Sequence, residues 1–383
     1  MQTEKPHLSS AKAPPEANEV SRRQLVQRLA ATAFLPLVTL SLSGCGASSF
    51  RPSAKAGQGG GREAALLLPL TGKMSDLGQN MSKAASLATP PGQADAAVPV
   101  YDTKDTPEGA AEAAKMALSH GAKVLFGPLR ADQTPMVLDV AGKVPVVTFS
   151  NDDSLASRGA FVMGVTPAQS VTATFSYARA QGMKRLALVA TDGAYGRSSA
   201  LAADDIAKSG GLALTATLLG PSGKTGLLAA LKSASGGVLP DAVFIADGGA
   251  DLVQFAAALG SSGIKLMGGL QWNTGDVTQV PELNGAWFAA PPPDLFQPFS
   301  EKFAAQFGTQ PGVVAALAYD AALIAEGLGD ARALNKAGLT RKAGFTGALG
   351  NFHFLADGRC SRDLAILTIT NGSIVTLGEI GGT

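Results

Sequence analysis

The chain has 383 residues, 46% hydrophobic and only 16% charged, which allows about two or three domains and a sizeable buried core. A formal net charge of +1 excludes a broad basic surface for nucleic acid and an acidic tail for metal buffering. Two cysteines, Cys45 and Cys360, and three histidines, His7, His120 and His353, are scattered singly, so neither a metal centre nor a cofactor is expected.

In chain order, Arg22, Arg23 and Arg28 precede the apolar run LAATAFLPLVTLSL, residues 29–42. As a helix this run reaches only about 21 Å, short of a bilayer core of about 30 Å, so it reads as an export signal rather than a membrane span. It ends in Leu42-Ser43-Gly44-Cys45, which resembles a bacterial lipobox with Cys45 as the lipidated residue. SRRQLVQ (21–27) also resembles a twin-arginine signal, from which Val26 and Gln27 depart. Lipidation of Cys45 leaves Cys360 alone, so no intramolecular disulfide is expected. The expected layout is a signal peptide over 1–44, a tether over 45–62 whose Gly, Ser, Ala and Pro show no apolar period, and a folded body over 63–383.

Within that body, short apolar runs alternate with helical stretches. AALLLPL (64–70), VPVYD (98–102), AKVLFG (122–127) and VPVVTFS (144–150) read as strands, with helices between them. The second of these helices has Thr106 as N-cap, Pro107 in its first turn and Gly121 after its end. Near-continuous apolar strands separated by helices indicate a parallel sheet covered on both faces. A second series follows: RLALVAT (185–191), LALTATLL (212–219), DAVFIAD (241–247), IKLMGG (264–269) and GAWFAAP (285–291), with helices near 195–208, 225–233 and 251–261. Two helices, near 298–307 and 313–328, then precede late strands NFHFLAD (351–357), LAILTIT (364–370) and SIVTLG (373–378). Asp357-Gly358 and Asn371-Gly372 are hairpin turn pairs. The fold class expected is α/β, with two doubly wound lobes: lobe 1 over about 63–165 and 292–342, lobe 2 over about 166–291 and 343–383.

Several motifs are decoys for catalysis. LLGPSGKT (218–225) has Leu218 where a phosphate-binding loop needs its first Gly, and it reads as a strand-to-helix turn. GQGGG (57–61) precedes any strand. No Ser sits in a G-x-S-x-G elbow, His120 falls at a helix end, and His353 alternates with Phe352 and Phe354 on a strand. Without a nucleophile–base pair, the expectation is a protein with no catalytic residues.

What remains is a set of polar loops at the C-terminal ends of parallel strands, where open α/β sheets bind ligands. The first lobe offers LTGKMSDLG (70–78), FGPLRADQT (126–134) and TFSNDDS (148–154); the second offers TDGAYGR (191–197), ADGGAD (246–251) and GLQWNTG (269–275). The amides opening the helix near Ala131, beside Arg130, would favour an anion by about 0.3–1 kcal/mol.

The order LLLPLTG…LG, VYDT…GAAEAAK, GPL…VPVVTFS, GAYGR and AYDAALIAE resembles type I periplasmic solute-binding proteins of the branched-chain amino-acid (leucine) binding branch, over almost all of 64–383. The resemblance implies two Rossmann-like lobes joined by three crossing segments and closing on a small polar, amino-acid-like ligand delivered to an ABC permease. The site residues it suggests, together with the loops, are Thr71, Leu77, Gly78, Arg130, Ala131, Ser150, Asn151, Asp152, Tyr195, Asp251 and Trp272. Tyr195 falls on the family's second-lobe Tyr, and Asp251 on its ammonium-binding acid or on a plain helix cap. The family's carboxylate-gripping Ser and Thr fall on Ala131 and Asp152. Losing a hydroxyl and gaining a carboxylate there would cost a zwitterion several kcal/mol if it bound identically. These departures give weight to an alternative. The chain also resembles outer-membrane lipoproteins that activate penicillin-binding proteins in peptidoglycan synthesis, and Gly46 after Cys45 suggests outer-membrane sorting. Either way, the expected location is the periplasmic side of a bacterial membrane, held by a lipid on Cys45.

Overall fold

A computed structural model describes residues 63–383 apart from 91, 93–95 and 222–225. Cys45, the export segment, the tether and the tip of the GPSGK turn lie outside the described residues.

The first sheet holds five parallel strands in the order β2–β1–β3–β4–β5: β1 (Ala64–Leu68), β2 (Val100–Asp102), β3 (Val124–Phe126), β4 (Val146–Thr148) and β5 (Phe161–Val162). Its helices are α1 (Ser75–Ser86), α2 (Pro107–Ser119) and α3 (Thr134–Ala141). Strand β1 shows why the run is apolar throughout. Ala64, Leu66 and Leu68 enter one core and Ala65 and Leu67 the other, because alternate side chains leave opposite faces of a doubly covered sheet. The expected cap of α2 is present, with the Thr106 hydroxyl accepting from the Gly109 amide.

After β5 the chain enters α4 (Pro167–Ala180) and leaves the first sheet. This helix was not read from the apolar runs, yet it carries a capping box, with Thr166 and Gln169 bonded reciprocally and Pro167 in the first turn. The second sheet has seven strands in the order β15–β14–β10–β9–β8–β6–β7. Parallel members are β6 (Arg185–Ala190), β7 (Ala213–Leu219), β8 (Ala242–Ile245), β9 (Lys265–Gly268) and β10 (Trp287–Ala290), with α5 (Ala194–Gly210), α6 (Leu227–Ala234) and α7 (Gly249–Leu259) between them. The result is the α/β fold of two doubly wound lobes that the alternating runs predicted.

The return path differs in detail. Helices α8 (Pro293–Phe307) and α9 (Val313–Asp330) pack Phe299, Phe303, Ala315 and Ala318 into the first core. The short helix α10 (Lys336–Leu339) leads to a small antiparallel sheet of β11 (Phe345–Gly347), β12 (Gly350–Phe354) and β13 (Cys360–Arg362). Phe345, Phe352 and Phe354 bury their rings in the first core, with Phe354 edge-on to Phe161 at 5.5 Å. Three aromatic rings thus hold this small sheet against the first core, and β14 of the second sheet begins at Leu364. The final hairpin, β14 (Leu364–Thr370) and β15 (Ser373–Ile380), adds two antiparallel strands and turns through Asn371 and Gly372, both at positive φ.

The first and last passages between the two sheets are fastened together. Arg362 is fully buried and donates to the carbonyls of Met163 (3.1 Å) and Leu349 (3.1 Å), with its guanidinium 4.4 Å above the Phe352 ring. Facing it, Asp320 of α9 accepts from the amides of Ala348 (2.6 Å) and Leu349 (3.3 Å). Burial pushes Asp320 up to about 6, opposed by the Arg362 charge and those two amides. Among the described residues no helix is long and apolar enough to cross a membrane, and no group of three or more His, Cys, Asp and Glu could hold a metal.

Candidate functional site

A cavity of about 790 Å³ lies where the strand ends of the first lobe face the loop after β9 of the second. The first lobe supplies Met74 and Leu77 at the start of α1, Leu129 to Asp132 after β3, Phe149 to Asn151 after β4, and Gly164 and Val165 at the first crossing. The start of α9 adds Gly312, Val313, Val314 and Leu317, and the second lobe adds Leu270, Gln271 and Asn273. The lining is chiefly apolar, with a few polar groups converging on it.

Of the residues expected from sequence, Leu77, Arg130, Ala131, Ser150 and Asn151 line this cavity. The others have different neighbours. The Thr71 amide and hydroxyl both donate to Asp102, which also takes the amides of Leu70 and Lys104. Burial opposes ionisation of Asp102, but these bonds hold its carboxyl below the usual range. The polar loop after β1 is thus a turn tied to β2. Gly78 is buried where α1 crosses the end of β1, and a Cβ there would stand 2.0 Å from the Pro69 carbonyl oxygen. Asp152 caps the 3-10 turn over Asp153–Arg158, accepting from the Ser154 amide (3.0 Å) and hydroxyl (2.7 Å). Its carboxylate therefore serves the turn and does not line the cavity. Asp251 is exposed in the first turn of α7.

Tyr195 and Trp272 lie behind the second wall. Burial pushes the Tyr195 phenol up to about 12, with the Ser170 side chain partly offsetting it and the charge of Asp247 adding to it. Trp272 is fully buried, stacked on Phe288 with centroids 5.7 Å apart, and donates its indole N–H to the Ile245 carbonyl at 3.0 Å. A Cβ on Gly268 would lie 2.0 Å from the indole, so the Gly268 position is shaped to admit Trp272. This anchor holds the loop that presents Leu270, Gln271 and Asn273. The remaining second-lobe loops close on themselves: Thr191 donates amide and hydroxyl to Asp247, and Arg197 pairs with Asp192.

Arg130 is the cation at the cavity. Its Nε and Nη2 donate to the two Asp132 oxygens at 2.9 and 2.8 Å, and Asp105 stands 3.8 Å from Nε. The bond to Asp132 raises the guanidinium and lowers the carboxyl. The helix expected to open near Ala131 begins instead with a 3-10 turn, Ala131–Gln133, before α3. Sequence reasoning missed the α9 contribution, since AYDAALIAE marks a helix but not which end reaches the cleft. It also missed Asp153, which burial pushes up to about 6, with Thr166 and Arg359 opposing and Asp152 adding to the shift.

The described lining residues form an apolar cleft in a two-lobed α/β frame. The model of one family, described as periplasmic binding protein, matches residues 63–373. The chain belongs to the periplasmic binding protein family. Solved structures of this fold align with it over almost their own full length. A candidate branched-chain amino acid ABC transporter protein from Rhodospirillum rubrum matches at TM-score 0.72 and 19% identity, over 82% of this chain and 99% of that one. An ABC-transporter solute-binding protein from R. palustris, in complex with benzoate, matches at 0.60 and 20%, over 83% and 96%. A branched-chain amino acid transporter substrate-binding protein from Streptococcus pneumoniae, in complex with isoleucine, matches at 0.60 and 20%, over 83% and 99%. No curated protein matches this periplasmic binding protein by sequence.

Proposed function

We propose that this protein is a non-enzymatic solute-binding component of an ABC importer, tethered to the periplasmic side of the membrane through Cys45. It captures a small ligand when a minor closed state is stabilised by contacts to both lobes. The observation that carries this reading is the apolar cavity of about 790 Å³ with polar groups from both lobes at its wall, the size and character of a small-molecule site. The neighbouring proteins in complex with isoleucine and with benzoate support the choice of amino acids and small carboxylates as the ligand classes to test.

The test is a thermal-shift screen of amino acids, aliphatic and aromatic carboxylates and small anions. A true ligand at a hundredfold excess over its Kd stabilises the protein by about 2.7 kcal/mol. A panel in which nothing raises the melting temperature overturns the proposal. A second reading, an outer-membrane regulator that contacts a penicillin-binding protein, is favoured by Gly46 after the lipobox and by Ala131 at the hydroxyl position. Co-purification of a peptidoglycan synthase together with a silent ligand screen would select it. Membrane release of Cys45→Ala checks the anchor under both readings.

A further inference from the structure

We propose that the cargo of this cavity is a monocarboxylic acid with a branched or aromatic apolar body and no α-ammonium group, an inference that rests on the capture reading above. The cavity has no place for a cation. Among the described residues lining it, only Arg130 and Asp132 carry charge, and both Asp132 oxygens are already held by Arg130 Nε and Nη2. A ligand ammonium would have to break that two-bond pair while standing beside a guanidinium. The other polar lining side chains, Ser150, Asn151, Gln271 and Asn273, are neutral.

Of the acids outside the lining, Asp105 stands 3.8 Å from Arg130 Nε and faces the same guanidinium, and the others are not among the residues that line the cavity. Asp152 caps Ser154, Asp247 takes both donors of Thr191, and Asp251 is exposed on α7. Asp153 faces Thr166 and Arg359. An unpaired ammonium taken from water into such a site is not repaid.

An acceptor head is served better. Arg130 keeps Nη1 without a hydrogen bond among the described residues, so it can donate to a ligand while Nε and Nη2 stay on Asp132. The 18-residue helix α9 opens on the same cavity with Gly312 as a cap that has no side chain, and the Val313 and Val314 amides have no acceptor among the described residues. Those amides and the positive helix end add to the guanidinium for a carboxylate and act against an ammonium. The body of the ligand meets Met74, Leu77, Phe149, Val165, Leu270 and Leu317. Asp132 in the lining, and Asp105 beside Arg130, oppose a carboxylate.

Isothermal titration of the whole chain with two matched pairs tests this: leucine against 4-methylpentanoate, and phenylalanine against 3-phenylpropanoate. At least one acid is expected to bind, and to do so at least tenfold more tightly than its amino acid. Arg130→Gln, at a partly exposed side chain, should weaken that acid at least tenfold, and the near-isosteric Asp132→Asn should tighten it. An amino acid that binds as tightly as its deaminated partner overturns the inference and leaves capture standing. So does failure of both acids while another compound of the wider screen binds. If nothing in either set binds, the capture reading falls as well.

Discussion

Among the described residues, the first lobe lines the cavity from three strand ends, a crossing segment and the start of a helix, whereas the second reaches it only through residues 270–273. On the first side the lining residues are themselves the loops that follow β3 and β4. On the second, the loops after β6 and β8 are closed by their own Thr191–Asp247 and Asp192–Arg197 bonds, and the wall is a single 3-10 segment hung on a buried indole. One wall is therefore built from many independent short contacts and the other from one anchor. The difference teaches where each wall is vulnerable: the first to changes in its side chains, the second to loss of packing behind it.

The sharpest way to break this comparison is Trp272→Ala. Emptying the indole site should cost about 3–5 kcal/mol of stability, read by urea or thermal unfolding, and should also abolish ligand binding in any fraction that remains folded. A folded variant with unchanged affinity would show that the second wall does not depend on its anchor.

At the crossings, Asp320 gives a pH signature. Its carboxyl titrates near 6 in the folded chain against an ordinary value of 3.8, so the folded state binds the proton more tightly. Its contribution to stability is full below about 4 and is lost as pH rises through about 6, by on the order of 3 kcal/mol. Denaturant titrations at several pH values should show this falling component in the parent chain, and Asp320→Asn should remove it. An unchanged pH slope in that variant would refute the assignment.

Smaller effects mark positions outside both walls. Thr106→Ala removes the cap of α2 and should cost about 1 kcal/mol with ligand affinity unchanged. Lys208→Ala breaks an exposed pair with Asp204 on α5 and should leave the unfolding midpoint almost unchanged, with still less effect at high salt. A large loss from the last substitution would contradict the view that such surface pairs carry little.

Most of the two sheets could be read directly because strands buried on both faces must be apolar at every position. Runs such as LLL in β1 and AVFI in β8 admit no other placement in a water-soluble body. The turn pair Asn371-Gly372 declared the final hairpin for a similarly local reason, since both residues tolerate positive φ. Strand β5, only two residues long, and the interrupted β11 and β13 leave too short a pattern to be seen.

The site divides along the same line. Composition and spacing by themselves determined that polar loops follow the strands, because that property is local to short stretches of chain. Which of those loops face the cleft was decided only by tertiary packing. Asp102 drew Thr71 into a turn, Phe288 and Ile245 drew Trp272 into the core, and Ser154 drew Asp152 into a cap. A polar side chain at a strand end can be satisfied either by the protein or by a ligand. The choice depends on which partner, distant in the chain, is brought within about 3 Å of it.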